Sequence, residues 1–232
     1  MIKYGTNNIG KIYFGSNPIG KAYFGSNLVY QSGGGSSFPT GYTQLSYVES
    51  PSSKTVYVNT GIAASNSIGF EIDAYTYDAA STSGYGCFFG GRVSSGQNDF
   101  QLTTYTANSF ESGTLRVGTG SALPYVINGH IPLLTRFTAT LHNGTYTIDG
   151  SSYSVIMNIN NGQTIYLFAL NNNGTAAQFG RIRIYSFKLY DGSTEVLNYV
   201  PCYRNSDNKV GFYDFVNNTF VLPTGGNLIG GE

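Results

Sequence analysis

The first thirty residues carry one short motif three times. Lys11-Ile12-Tyr13-Phe14-Gly15-Ser16-Asn17 returns ten residues later as Lys21-Ala22-Tyr23-Phe24-Gly25-Ser26-Asn27, and a looser copy, Lys3-Tyr4-Gly5-Thr6-Asn7, stands ahead of both. A fourth start, Leu28-Val29-Tyr30-Gln31, runs into Ser32-Gly33-Gly34-Gly35-Ser36-Ser37. A ten-residue period is too short for a helical solenoid unit but suits one short strand and one turn. Ile12 and Phe14 alternate with Lys11 and Tyr13, which is strand periodicity, and Gly-Ser-Asn is turn chemistry. The reading predicts a three-stranded meander too thin to stand alone. Such units must stack on one another, on a second copy or on a partner. Residues 1–31 therefore read as a docking or assembly element, with Ile12, Tyr13, Phe14, Ile19, Tyr23 and Phe24 as its docking side chains. Residues 32–39 read as a Gly/Ser linker and residues 40–232 as a separate domain.

That domain, of roughly 190 residues, is long enough to bury a core without covalent staples. Charged residues make up 10% of the chain, while 31 Gly and 20 Tyr accompany many Thr, Ser and Asn. That composition favours strands and polar turns. Apolar alternation recurs in short segments, among them Ser67–Thr76, Cys87–Arg92, Ile131–His142, Gly180–Tyr190 and Glu195–Tyr203. A closing hairpin, Val210–Asp214 with Asn218–Leu222, is expected to turn on Asn residues in left-handed geometry. No segment keeps a helical period over ten residues. The fold class expected is all-β, a jelly-roll sandwich.

Twelve basic and twelve acidic side chains cancel, which leaves no phosphate-binding stripe and argues against nucleic acid. No apolar run approaches the ~20 residues of a membrane span, and Ile2-Lys3-Tyr4-Gly5 is no signal-peptide core. Cys87 and Cys202 each lie in an apolar stretch, which favours two buried thiols over a disulfide.

Several motifs resemble a concanavalin A-like, laminin-G-like jelly roll. They are Gly41-Tyr42-Thr43-Gln44-Leu45-Ser46-Tyr47-Val48-Glu49-Ser50, Ile182-Arg183-Ile184-Tyr185-Ser186-Phe187-Lys188-Leu189-Tyr190-Asp191 and Asn198-Tyr199-Val200-Pro201-Cys202-Tyr203-Arg204. The N-terminal units are similar to short repeats that open virion proteins of phages of gut bacteria, including crAss-like phages. Together these resemblances imply a virion structural protein, a head- or tail-fibre component assembled in the host cytoplasm. The expected partners are other virion proteins through residues 1–31 and host surface glycans at a lectin-like domain, and edge-to-edge pairing of repeats from several chains predicts a dimeric or trimeric homo-oligomer. The alternative is a carbohydrate-binding adhesin of a bacterial surface.

A glycoside hydrolase is the least favoured reading. Glu71 and Asp73 stand two apart on one strand face, as in jelly-roll hydrolases, but the second Glu of that pattern is missing from Ala74-Tyr75-Thr76-Tyr77. No catalytic residue is assigned. His130 and His142 lack a nucleophile elbow, and His142 before Asn143-Gly144 reads as a turn residue. No cofactor is expected. Calcium is a weak alternative through Asp78, Asp99, Asp149 or Asp191, which form no dense acidic loop. Tyr75, Tyr77, Tyr85 and Tyr105 are the candidate sugar-stacking residues.

Overall fold

The computed structural model describes residues 38–231 apart from 54, 78–84, 95–98, 108–109, 118–124, 128–130, 132–133 and 160. In the first 37 residues it describes the backbone of six short strands. The chain divides into two compact units, Met1–Thr40 and Gly41–Glu232.

In the first unit the expected meander is replaced by three separate hairpins. Lys3–Tyr4 pairs with Asn7–Asn8, Ile12–Phe14 with Asn17–Ile19, and Lys21–Phe24 with Asn27–Gln31. Each ten-residue repeat is thus two strands rather than one. The physical reason lies in the register: Phe14 pairs with Asn17 and Phe24 with Asn27, so only Gly and Ser separate the paired ends. A Gly-X dipeptide is a two-residue hairpin connection, and Asn begins the return strand instead of finishing the turn. Pro18, opposite Tyr13, is tolerated because a two-stranded sheet has only edge strands.

The second unit is a β-sandwich, and no helix occurs among its described residues. One sheet has eleven strands, with Ser151–Ser154, Thr145–Ile148, Arg136–His142, Ile68–Thr76, Ile182–Asp191, Thr194–Arg204, Lys209–Asp214 and Thr219–Val221 in lateral order. Tyr47–Glu49 adds beside Ile182–Asp191 and in turn pairs with Ile229–Gly231. The other sheet has eight strands and is built around Tyr85–Arg92, with Phe100–Ala107 on one side and Thr164–Leu167 on the other.

Alternation makes the core. In Ile68–Thr76, Phe70, Ile72 and Ala74 are buried while Glu71, Asp73 and Tyr75 are half-buried on the opposite face. Phe70 meets Phe89 of the facing sheet with ring centroids 4.8 Å apart, and Phe89 meets Phe187 at 5.3 Å. Two bulges adjust the phase. The register slips between Asp73 and Ala74, which leaves Tyr185 unpaired on the neighbouring strand and returns Phe187 to the interior. A second slip, between Cys87 and Phe89, lets the consecutive Phe88 and Phe89 both turn inward, with Phe88 edge-on to Phe137 at 5.2 Å.

The expected segment Tyr42–Val48 is broken into Tyr42–Gln44 and Tyr47–Glu49, which pair with different strands, Thr194–Arg204 and Ile182–Asp191. Thr164–Leu170 is broken at Phe168, a buried residue with φ +66°. Asn218 has φ +53°, the left-handed Asn expected in the closing hairpin. Cys87 and Cys202 are free buried thiols.

Candidate functional site

The outward face of the eleven-stranded sheet gathers Arg136, Arg181 and Arg183 with Tyr47, Tyr75, Tyr77 and Tyr185. Strand register sets a straight row across it. Arg136 is opposite Tyr75, Tyr75 opposite Arg183, Arg183 opposite Glu49, and Glu49 opposite Ile229. Five strands thus deliver a cation, a ring, a cation, a carboxylate and an exposed aliphatic side chain in lateral sequence.

Glu49 is the centre of this arrangement. The residue is 6% exposed, and a buried carboxylate needs hydrogen-bonding and ionic partners. It accepts from Arg183 Nε at 2.8 Å and from the Tyr77 hydroxyl at 3.0 Å, with Arg181 Nη2 at 3.5 Å. The fixed guanidinium of Arg183 then lies 4.2 Å from the ring centre of Tyr47 and 4.8 Å from that of Tyr77. Arg181 covers Tyr77 at 4.5 Å. On the other side of Tyr75, Arg136 forms a two-pronged pair with Asp73, at 2.7 and 2.6 Å, and covers the Tyr185 ring at 3.8 Å. Each guanidinium is held both by a carboxylate and by a ring face, which fixes its plane. Gly231 leaves room for the Tyr47 ring, since a Cβ there would lie 2.0 Å from the ring's Cζ.

The electrostatics follow from this packing. Burial, together with the hydrogen bond to Glu49, pushes the Tyr77 phenol up to about 12. Burial alone would lower Arg183, but its hydrogen bonds to Glu49 and Tyr185 outweigh burial and hold it above its ordinary value. The hydrogen bond to Asp73 likewise raises Arg136.

Further along the same face, Glu71 Oε1 lies at hydrogen-bonding distance, 3.1 Å, from His142 Nε2, and His142 packs edge-on to Tyr190 at 4.7 Å. Lys188 donates to Glu195 at 2.8 Å. Burial works against the charge on Glu195, but Lys188 and Asn198 more than offset it and lower its pKa. Glu71 and Asp73 do share a face, as expected, but each has its own cationic or imidazole partner.

Of the four candidate tyrosines, Tyr75 and Tyr77 lie in this cluster, edge to face at 4.9 Å. The backbone positions of Tyr85 and Tyr105 are paired with each other in the eight-stranded sheet, so the four candidates are divided between the two sheets. The docking residues Ile12, Tyr13, Phe14, Ile19, Tyr23 and Phe24 fall in the hairpin strands, where the backbone alone is described. Asp78 and His130 lie outside the described residues. Asp99 accepts from Gln101, Asp149 from the Thr138 amide, and Asp191 from Ser67. No group of three metal-ligating side chains occurs among the described residues. A recess of about 240 Å³ lined by Leu45, Tyr203, Asn208, Val210 and Gly230 carries no charged group.

Sequence reasoning missed Arg136, Arg181, Arg183, Tyr47, Tyr185 and Glu49 as site residues. The signal was present in Arg181-Ile182-Arg183-Ile184-Tyr185, a stretch whose alternate positions are all cationic or aromatic.

No family model matches the sequence, and no curated protein matches it. Solved structures are similar in fold. A candidate carbohydrate-binding protein from Bacteroides ovatus superposes with a TM-score of 0.51 at 11% identity, over 82% of this chain and 61% of the other. NanB with Optactamide gives 0.42 at 15% identity, over 66% of this chain and 26% of that one. Full-length tailspike protein 2 of the Escherichia coli O157:H7 bacteriophage CAB120 gives 0.40 at 12% identity, over 68% and 27%. The chain therefore spans about three fifths of the first of these and about a quarter of the other two. The first likeness is one of fold alone.

Proposed function

We propose that this chain is a non-enzymatic virion structural protein, a head- or tail-fibre component whose N-terminal hairpins anchor it and whose sandwich, of the concanavalin A-like jelly-roll type, meets a host surface glycan. The observation that carries the reading is the N-terminal unit. Three hairpins follow one another, each a two-stranded sheet whose edges are unpaired among the described residues. A lone hairpin is marginal in water, and open edges pair with further strands. Copies of the chain, or a virion partner, would supply those strands in a symmetric assembly. The resemblance of the repeats to those opening phage virion proteins points the same way. The fold shared with a Bacteroides ovatus protein named for carbohydrate binding fits a sugar-facing role for the sandwich.

The test is light scattering on the full chain beside the Phe14→Asp/Phe24→Asp double variant. An oligomer that the double variant loses, with the sandwich still folded, supports the anchor. Unchanged assembly of the double variant refutes it. For the absence of catalysis, Glu71→Gln with Asp73→Asn should change no glycan-cleaving activity of the preparation, and a loss would restore the hydrolase reading.

A further inference from the structure

We propose that the Tyr47–Tyr75–Tyr77–Arg181–Arg183 face binds a saccharide that carries a carboxylate. The inference rests on the sugar-facing role just given and names its ligand class and site.

Three features converge on this chemistry. The first is the ring surface. Tyr75 lies near the end of the strand Ile68–Thr76 and Tyr77 just past it, Tyr47 is brought in by Tyr47–Glu49, and all three are half-buried with their rings held by Arg183. Aromatic rings take the apolar C–H faces of a pyranose, while phenol and guanidinium groups at their margins take its hydroxyls.

The second is charge. Among the described residues of this face, Arg136, Arg181 and Arg183 meet only Asp73 and Glu49. Arg136 is neutralised by Asp73 in a two-pronged pair, so the surplus positive charge resides at Arg181 and Arg183, which share Glu49. The far end of the same face has the opposite balance, with Glu71 and Glu195 against Lys188 and the titratable His142. A ligand with one negative group is thereby oriented along the strands, its anion toward Arg181. A neutral sugar would gain nothing from this polarity.

The third is the state of Arg181. Its side chain is 38% exposed, its Nη2 lies at a loose 3.5 Å from Glu49 Oε1, and its Nε is buried with no hydrogen-bond partner. Arg183, by contrast, is committed at 2.8 Å. A guanidinium carries five N–H donors, so the exposed part of Arg181 has donors to offer a carboxylate while Arg183 holds the platform.

The test is calorimetric titration of the full chain with two acidic probes, tetragalacturonate and sialyllactose. Methyl-esterified tetragalacturonate and lactose are the uncharged counterparts. The expected result is binding of at least one acidic probe, at least tenfold weaker binding of its uncharged counterpart, and at least a tenfold loss in Arg181→Gln. Arg204→Gln, at the end of the strand Thr194–Arg204 and paired with Asp207 of the following turn, should leave the affinity unchanged and controls for general charge. Three results overturn the proposal. They are equal affinity for acidic and uncharged probes, an Arg181→Gln variant that binds as well as the parent, and no binding of any acidic probe at millimolar concentration. None of them touches the fibre reading, which the assembly of the Phe14→Asp/Phe24→Asp variant decides separately.

Discussion

Tyr77, one residue past the strand Ile68–Thr76, donates its hydroxyl to the buried carboxylate of Glu49 at 3.0 Å, although the two residues are 28 apart in sequence and Glu49 belongs to the strand Tyr47–Glu49. The strand Ile182–Asp191 lies between those strands, and its Arg183 reaches the same carboxylate. One acidic side chain thus locks a ring, a guanidinium and three strands together.

Replacing Glu49 with Ala should therefore cost more than a surface ion pair. It leaves two guanidiniums without their counter-charge, but both are partly exposed, at 28% and 38%. The expected loss is about 2 kcal/mol, between the values for buried and exposed pairs. A urea titration of the parent and Glu49→Ala checks it, and a change within experimental scatter would show that the cluster contributes nothing to stability.

Alkaline pH should weaken the fold partly through Tyr77. Below about pH 10 its phenol is protonated in both folded and unfolded chains. As the pH rises toward about 12, the unfolded chain ionises first, the folded chain binds the extra proton, and stability falls. Tyr77→Phe should lose less stability than the parent over that interval. Denaturation midpoints at about pH 9 and about pH 11.5 measure the difference. Equal losses would remove Tyr77 from the account.

The two thiols should be silent in the native protein. Both are fully buried, and burial pushes Cys202 up to about 12. Only the thiolate is nucleophilic. Ellman's reagent at mildly alkaline pH should register no thiol until denaturant is added, and both afterwards. Rapid reaction of the folded chain would contradict the burial.

Gly90 should resist any side chain. A Cβ there would stand 2.5 Å from Gln101 Cβ and 2.7 Å from the Phe100 carbonyl oxygen, in the middle of a paired strand. Neither atom can swing aside as a long side chain could. Gly90→Ala should cost roughly 1–3 kcal/mol, the range for overpacking a filled site. A thermal melt within a degree of the parent would mean that the sheet yields more than this.

Phe70, Ile72 and Ala74 against Glu71, Asp73 and Tyr75 are legible in the sequence as a two-faced strand, because a strand's side chains alternate whatever it packs against. The same holds for the closing hairpin and its left-handed Asn218, and for an all-β sandwich as the overall class. Alternation also marks Arg183 and Tyr185 as outward. It cannot say that Arg183 meets Glu49, because the strands that carry them are separated by more than 130 residues and meet only through sheet order. Nor does it locate the bulge at Tyr185, which depends on how Phe187 must fit against Phe89. The repeats were visible at once, yet their division into hairpins rests on which residues pair across Gly-Ser. Local chemistry determined strands, turns and faces. The lateral order of strands, and with it the row from Arg136 to Ile229, was decided by packing the two sheets over one core, a long-range condition that no short stretch of sequence contains.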